Sequence, residues 1–322
     1  MAKTRDIQRR IKSIGNIKKI TRAMEMVAAA KMRKTVEAVL KTRTYANLSW
    51  ETVINIARMS AEKHEPLHPL LADRKEIKKV AIIIMTSNRG LCGGFNSSLV
   101  AKVRESIRKH QQVGTDMAID TEFILLGKKG EVLERLGYQV AAVFPKMEVA
   151  LSFDEIKPIA SLARQEFLNG YYDKVLVAYT DYVSASKQVP RVKQLLPVEV
   201  DGHDHHLGVM GKSAKLDTSL EYIADKSKKH LTDHGFTHDY TFEPNRAEVL
   251  DKMLPKLIEV QLYQALLETN ASEHSARMAA MHQANDAAGG MVDDLVLFYN
   301  KARQAGITAE IAEISAGANA LQ

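Results

Sequence analysis

The spacing of apolar residues near the start of the chain predicts one long amphipathic helix. Apolar side chains recur there at steps of three and four, which places them on one helical face. Pro66 and Pro69 then interrupt the pattern, so we expect the helix to occupy residues 1–64. The predicted apolar stripe consists of Ile7, Ile11, Ile14, Ile17, Ile20, Met24 and Val27.

A second stretch with helical spacing occupies the end of the chain, residues 246–322. Asn245 is placed to cap its first turn, whereas Pro255 should either kink the helix or mark its true start. The last turns repeat apolar positions at alternating steps of four and three, as in a left-handed coiled coil. These positions are Ile307, Ile311, Ile314, Ala318 and Leu321.

The two terminal helices can bury their apolar stripes most simply against each other. Because they lie at opposite ends of the chain, we predict a long antiparallel coiled coil with a globular domain inserted between them. At 1.5 Å per residue the second helix would be on the order of 110 Å long. A single domain of this size has no core of that length, so the coiled coil needs a partner that surrounds it.

The inserted segment, residues 76–243, alternates strand and helix patterns. Its first strand, KKVAIIIMTS, is a continuous run of β-branched residues, as expected for a strand buried on both faces. The alternation predicts an α/β class with a doubly wound, mostly parallel sheet, and Pro190 and Pro197 assign the last strand to an edge. Residues 201–239 are polar and weakly patterned, which indicates a loop insertion.

Positive charge is concentrated in the first helix. Residues 1–43 carry 13 lysines and arginines against three acidic residues, a net charge of +10, although the whole chain carries only +6. Such a helix favours an acidic partner: nucleic acid, a membrane surface or an acidic protein loop. The alternative is an ordinary solvated basic face. The helix lacks the interleaved aromatic residues of single-strand nucleic-acid binders, and no apolar run is long enough to span a membrane.

A glycine-rich loop at residues 90–94 lies where phosphate-binding loops are found, after a strand and before a helix. It lacks the lysine and serine or threonine of a P-loop and does not fit the dinucleotide pattern, so a packing turn is the commoner explanation. Cys92, the only cysteine, is either a nucleophile or a buried structural residue. A histidine-rich run at residues 201–206 is a weak candidate for a metal site.

No other catalytic pattern is present, so the sequence argues against an enzyme, and we expect no catalytic residue, cofactor or metal. The last turns are small, apolar and nearly uncharged apart from Glu310 and Glu313. An exposed tip of this kind would aggregate unless a hydrophobic sleeve encloses it. Small side chains would also make few directional contacts within that sleeve, which allows the helix to turn there.

Four segments resemble the gamma subunit, the central rotor shaft, of F-type ATP synthase. They are residues 17–34, IKKITRAMEMVAAAKMRK; 87–96, SNRGLCGGFN; 273–281, EHSARMAAM; and 299–321, YNKARQAGITAEIAEISAGANAL. All four occur in the family's order, and the resemblance covers essentially the whole chain. It implies a non-catalytic subunit that turns inside a ring of alpha and beta subunits and binds the epsilon subunit and the membrane ring of c subunits.

The resemblance also implies which residues meet the ring. The expected contacts with alpha and beta subunits are Lys18, Lys19, Arg22, Met24, Arg277, Arg303, Gln304, Thr308 and Glu310, and the expected bearing tip is Ile307, Ile311, Ile314 and Leu321. No transit peptide precedes the family's usual start. This favours a bacterial chain, held by its complex at the cytoplasmic face of the inner membrane, with no nucleic-acid partner; a processed mature chain would look the same.

Overall fold

The structure is a computed structural model that describes residues 2–62, 68–72, 74, 76–113, 119–148, 153–198, 243 and 245–320. The predicted insertion at 201–239, the histidine-rich run within it and Leu321 lie outside these residues. The chain forms two compact units. One comprises Met1–Ala29 and Arg277–Gln322, and the other comprises Ala30–Ala276.

A five-stranded sheet forms the centre of the second unit. Its strands are β1 (Lys79–Met85), β2 (Asp120–Leu126), β3 (Gln139–Phe144), β4 (Lys174–Ser184) and β5 (Lys187–Leu196). Their order is β3-β2-β1-β4-β5, with parallel pairing throughout except between β4 and β5. The predicted mostly parallel sheet is therefore confirmed. Pro190 lies in the antiparallel edge strand β5, where a missing backbone donor is tolerated.

Five α-helices are present among the described residues: α1 (Ala2–Glu62), α2 (Phe95–Val113), α3 (Val132–Arg135), α4 (Lys157–Leu168) and α5 (Arg246–Ala320), with 3₁₀ turns at Lys128–Glu131 and Phe153–Glu155. Asn245 caps α5 as predicted, because its Oδ1 accepts a hydrogen bond of 2.9 Å from the Glu248 amide. Pro255 lies inside α5, so the alternative that it marks the helix start is wrong.

The central strands β1, β2 and β4 are buried on both faces, and their alternating side chains enter two apolar clusters. On one face, Ile83 and Met85 of β1 belong to a cluster that includes Leu254 and Leu262 of α5. On the other face, Ile82 and Ile84 belong to a cluster with α2, whose members include Leu99, Val103 and Ile107. Burial on both faces explains why β1 is a continuous apolar run instead of an alternating one.

The predicted apolar stripe of α1 is only partly confirmed in the first unit, where Ile7, Ile11, Ile14 and Met24 are half-buried. Ile17, Ile20 and Val27 are 49%, 59% and 55% exposed, whereas Thr21 and Ala28 are buried. Steps of three and four leave a choice between neighbouring positions, and Thr21 and Ala28 are buried at positions that the predicted stripe did not include. Thr21 satisfies its hydroxyl by donating to the carbonyl of Lys18 at 3.0 Å, so its burial leaves no hydrogen-bonding group without a partner.

Glu155 should make the stability of the second unit depend on pH. Burial raises the pKa of its carboxyl, although a hydrogen bond of 2.5 Å from the Met147 amide and the charge of Lys146 act in the opposite direction. The folded state therefore binds this proton more tightly than the unfolded state does. The resulting stabilisation is present below the ordinary pKa of glutamate and is lost as the pH rises through the folded value.

We accordingly expect Glu155→Gln to raise the urea midpoint of the full chain at neutral pH, and the gain should shrink as the pH falls to about 4. The amide oxygen of glutamine can still accept the Met147 hydrogen bond. Glu131→Gln, the same substitution at an exposed position of the second unit, is the control and should leave the pH profile unchanged. An equal gain from Glu155→Gln at every pH would show that its ionisation is irrelevant.

Candidate functional site

The glycine-rich loop between β1 and α2 is closed by its own hydrogen bonds. Asn96 Oδ1 accepts from the Ser87 amide at 3.0 Å, and Asn96 Nδ2 donates to Ser87 Oγ at 2.8 Å. Leu91 and Gly93 have φ values of +63° and +56°, so the turn is left-handed at two positions. This compact arrangement favours the packing turn over a phosphate-binding loop.

Helix α5 occupies the position where an open α/β sheet usually binds its ligand. That position lies outside the carboxyl ends of the strands, where the strand order reverses, and here it lies between β1 and β4. Thr269 of α5 approaches Met85 at the end of β1, with Oγ1 3.9 Å from Sδ. Ser272 Oγ donates to the carbonyl of Thr180 in β4 at 3.1 Å. The chain itself therefore fills this crevice.

The thiol of Cys92 is packed within the loop. Cys92 is 2% exposed, and its sulfur accepts from Asn96 Nδ2 at 3.4 Å and lies 3.8 Å from Ser87 Oγ. No histidine is among the hydrogen-bonding partners found for this sulfur in the described residues. The arrangement therefore favours the structural cysteine over the nucleophile.

The predicted basic contacts on α1 belong to the first unit and are solvent-accessible. Lys18, Lys19 and Arg22 are exposed, while Met24 is half-buried. Arg22 forms an ion pair of 2.9 Å with Glu25, which removes little of its charge because the arginine side chain remains 56% exposed. Lys18, Lys19 and Arg22 lie within about 100° of one another around α1 and form one basic surface, whereas Met24 lies on a different, half-buried face.

The predicted contacts on α5 also belong to the first unit. Arg277 is half-buried, whereas Arg303, Gln304, Thr308 and Glu310 are exposed. Thr308 donates to the carbonyl of Gln304 at 2.9 Å, as threonine commonly does within a helix. The tip residues Ile307, Ile311 and Ile314 are 49%, 62% and 73% exposed, and Leu321 lies outside the described residues.

Among the helices that the structure describes, none is both long enough and apolar enough to cross a membrane. Within the same residues, no group of three histidine, cysteine, aspartate or glutamate side chains is arranged to hold a metal ion. The candidate run at 201–206 is not among them, so the predicted absence of a metal stays a prediction.

Comparison with known proteins gives matches along the whole chain. The family model described as ATP synthase matches residues 3–321. The ATP synthase gamma chain of Legionella pneumophila (strain Corby) is 37% identical over 322 residues, covering 100% of both chains. That of Herpetosiphon aurantiacus is 39% identical over 331 residues, covering 100% of this chain and 99% of the relative. The chain belongs to the ATP synthase gamma chain family.

The fold of this gamma chain family member agrees with solved structures. A chain of the Euglena gracilis mitochondrial ATP synthase, from the OSCP/F1/c-ring structure in rotational state 3, matches with a TM-score of 0.60 at 18% identity, covering 99% of this chain and 95% of that one. A chain of the Tetrahymena thermophila central stalk and c-ring structure matches with a TM-score of 0.56 at 22% identity, covering 82% and 99%. The predicted family is confirmed.

Sequence reasoning missed one group of residues in this gamma chain. Lys146, just after β3, forms a buried ion pair with Glu273 of α5. Glu148 pairs with Lys31 of α1 and with Arg89, the residue before the glycine-rich loop. The available signal was the polar run ETNASEHS, residues 268–275, inside an otherwise apolar part of α5. Buried polar residues in mid-helix usually have dedicated partners.

Proposed function

We propose that this chain is the central-stalk subunit of a rotary ATP synthase and that it contributes no catalytic group. The observation that carries the proposal is the full-length match to ATP synthase gamma chains. The crevice at the carboxyl edge of the sheet supports the non-catalytic role, because α5 occupies the position where this type of sheet usually binds a ligand.

An antiparallel coiled coil of α1 and α5 is the proposed shaft. In the first unit, His282 Nδ1 donates to Glu25 Oε1 at 3.2 Å, and Lys18 Nζ lies beside Gly289. Glu25 is thus paired with residue 282 and Lys18 with residue 289, so the two helices run in opposite directions. The buried residues repeat at steps of seven, Thr21 and Ala28 on α1 and Met281 and Ala288 on α5, and this spacing supports a heptad-type seam.

The proposed domains are residues 1–64 and 246–322 for the coiled coil and residues 76–243 for an inserted, doubly wound α/β domain. The apolar clusters on both faces of the sheet, one with α4 and α5 and the other with α2, support the double winding. The two compact units do not coincide with these proposed domains, because the boundary between the units falls within both long helices.

The proposed partners are the alpha and beta subunits of the ring, the epsilon subunit and the c ring. The exposed basic surface of α1, Lys18, Lys19 and Arg22, would meet acidic loops of the ring, and the exposed apolar tip at Ile307, Ile311 and Ile314 would turn in its sleeve. Since the two relatives are bacterial, we place the complex at the cytoplasmic face of a bacterial inner membrane.

Reconstitution tests the proposal directly. The chain alone should hydrolyse no ATP and bind no nucleotide saturably. When it is mixed with alpha and beta subunits, it should join a stable assembly whose ATPase activity exceeds that of a mixture without it. A stable assembly with no stimulation would reject the proposal, and so would hydrolysis by the chain alone.

A further inference from the structure

A short polar stretch of α5 is buried as completely as the apolar core around it. Residues 268–275 include seven polar residues, and each residue as a whole is at most 4% exposed. They are Glu268, Thr269, Asn270, Ser272, Glu273, His274 and Ser275. Burial of this many polar groups is unfavourable unless each finds a partner, and apolar residues would have filled the same space more simply.

One side of this stretch is held by the segment that follows β3. Three consecutive residues of that segment contact three residues of α5, two through backbone carbonyls and one through a charged side chain. The contacts are Asn270 Nδ2 to the Met147 carbonyl at 3.3 Å, Lys146 Nζ to Glu273 Oε2 at 2.5 Å, and His274 Nε2 to the Glu148 carbonyl at 2.7 Å.

The opposite side is held by β4, the β4–β5 turn and the start of β5. The contacts are Ser272 Oγ to the Thr180 carbonyl at 3.1 Å, Ser275 Oγ to the Ala185 carbonyl at 2.6 Å, and Gln188 Nε2 to Ser275 Oγ at 3.3 Å. Successive helical residues are about 100° apart, so Ser272 points about 200° away from both Asn270 and His274. We call these contacts on both sides of residues 270–275 the polar socket.

The polar socket is also tied to the rest of the second unit. The backbone carbonyl of Glu148 is the one that pairs with His274. Its side-chain carboxylate forms ion pairs with Lys31 of α1 and, at 3.0 Å, with Arg89, just before the glycine-rich loop. The hydrogen bond from Lys31 and the positive charges of Lys31 and Arg89 hold the pKa of the Glu148 carboxyl below its usual range. The segment 146–148, which contacts α5, is therefore also held in place by contacts with α1 and with the loop after β1.

Directional contacts distinguish this socket from apolar packing. A helix in an apolar groove can rotate or slide with gradual changes in contact, because burial has no preferred angle. Hydrogen bonds weaken steeply with misalignment. Any rotation of α5 about its axis would also separate Lys146 from Glu273, whose side chains are 1% and 5% exposed, and would leave two buried charges without each other.

We propose that the polar socket fixes the rotational register of α5 against the α/β sheet, so that torque passes between sheet and shaft without slip. This inference rests on the proposed rotor function. Lys146, Glu273 and Ser272 then act as positioning residues, and none of them needs to touch the ring. Ionic groups are retained here because they specify one geometry, since apolar residues could supply equal stability.

The test replaces the ion pair with apolar residues of similar size, Lys146→Met together with Glu273→Leu, in the complete ion-translocating complex. We expect an unfolding equilibrium of the chain within about tenfold of wild type, because both charges leave together. ATP hydrolysis should persist, while the number of ions moved per ATP falls. The exchanged pair, Lys146→Glu with Glu273→Lys, should restore that ratio. The matched control is Lys102→Met with Glu105→Leu, a half-exposed pair 3.1 Å apart on α2, which should change nothing.

Three outcomes separate the possibilities. An unchanged ion-to-ATP ratio in a correctly assembled double variant overturns the socket, although the rotor function stands. Failure of the wild-type chain to assemble with alpha and beta subunits overturns the rotor function instead. If the double variant does not fold, Ser272→Ala with Ser275→Ala removes the opposite side of the socket at little cost in volume. An unchanged ratio in that folded variant equally overturns the inference.

Discussion

Gly127→Ala is expected to destabilise the second unit by more than about 4 kcal/mol, a large fraction of the roughly 5–15 kcal/mol by which folded proteins are stable. Gly127 follows β2 with φ at +102°, and a Cβ atom there would lie 2.3 Å from the carbonyl oxygen of Thr86. That carbonyl is backbone at the end of β1, held beside β2 by the hydrogen bond from the Thr86 amide to Leu126. The clash can be relieved only by separating the two strands.

Gly137→Ala is the matched control. Gly137 also has positive φ, at +88°, but nothing lies within 4 Å of its added Cβ atom. The Gly137→Ala variant should lose only about 1–2 kcal/mol of stability, which is the conformational cost of a positive φ for alanine. Urea unfolding of the full chain measures both. Equal losses for the two variants would show that φ alone matters and that the approach of Thr86 to Gly127 is irrelevant.

Reversing the charge of the basic surface on α1 should slow assembly with the alpha and beta subunits by about tenfold or more at low salt. The variant is Lys18→Glu with Lys19→Glu and Arg22→Glu, three exposed positions. Assembly should be slower because the reversed surface no longer attracts the acidic loops of the ring when the subunits meet. The difference from wild type should shrink as salt rises, because screening shortens the reach of exposed charges to about 8 Å at physiological ionic strength.

A variant with the same change in net charge elsewhere separates local from global effects. Lys128→Glu with Lys129→Glu and Arg135→Glu alters three exposed residues of the second unit. Association rates, measured by stopped-flow mixing over a range of salt concentrations, should fall much less for this control. Equal slowing by both variants would mean that net charge, and not the surface of α1, governs encounter.

Local patterns of the sequence predict most of the elements of this fold. The β-branched run at residues 79–85 predicts β1 because burial on both faces demands it, and Pro190 predicts an edge strand because it cannot donate a hydrogen bond. Asn245 predicts the start of α5 because an amide side chain satisfies a free helical N–H group. Each of these signals acts within a few residues.

Signals that depend on distant partners could not be predicted in the same way. Lys146 and Glu273 are 127 residues apart, and no periodicity connects them. The buried face of α1 was only partly predicted for a related reason: steps of three and four fit neighbouring positions equally well, and the packing buries Thr21 and Ala28. The contacts assigned to Lys18, Arg303 and the tip stay predictions, because they involve other chains.

The single cysteine has a practical consequence for experiments on this shaft. Cys92 is 2% exposed and packed between Ser87 and Asn96, so maleimide reagents can reach its sulfur only when the glycine-rich loop opens. A cysteine introduced at an exposed position would react first. A fluorophore or bead could therefore be attached at one chosen point of the native chain, and slow alkylation of Cys92 would report how often the loop opens.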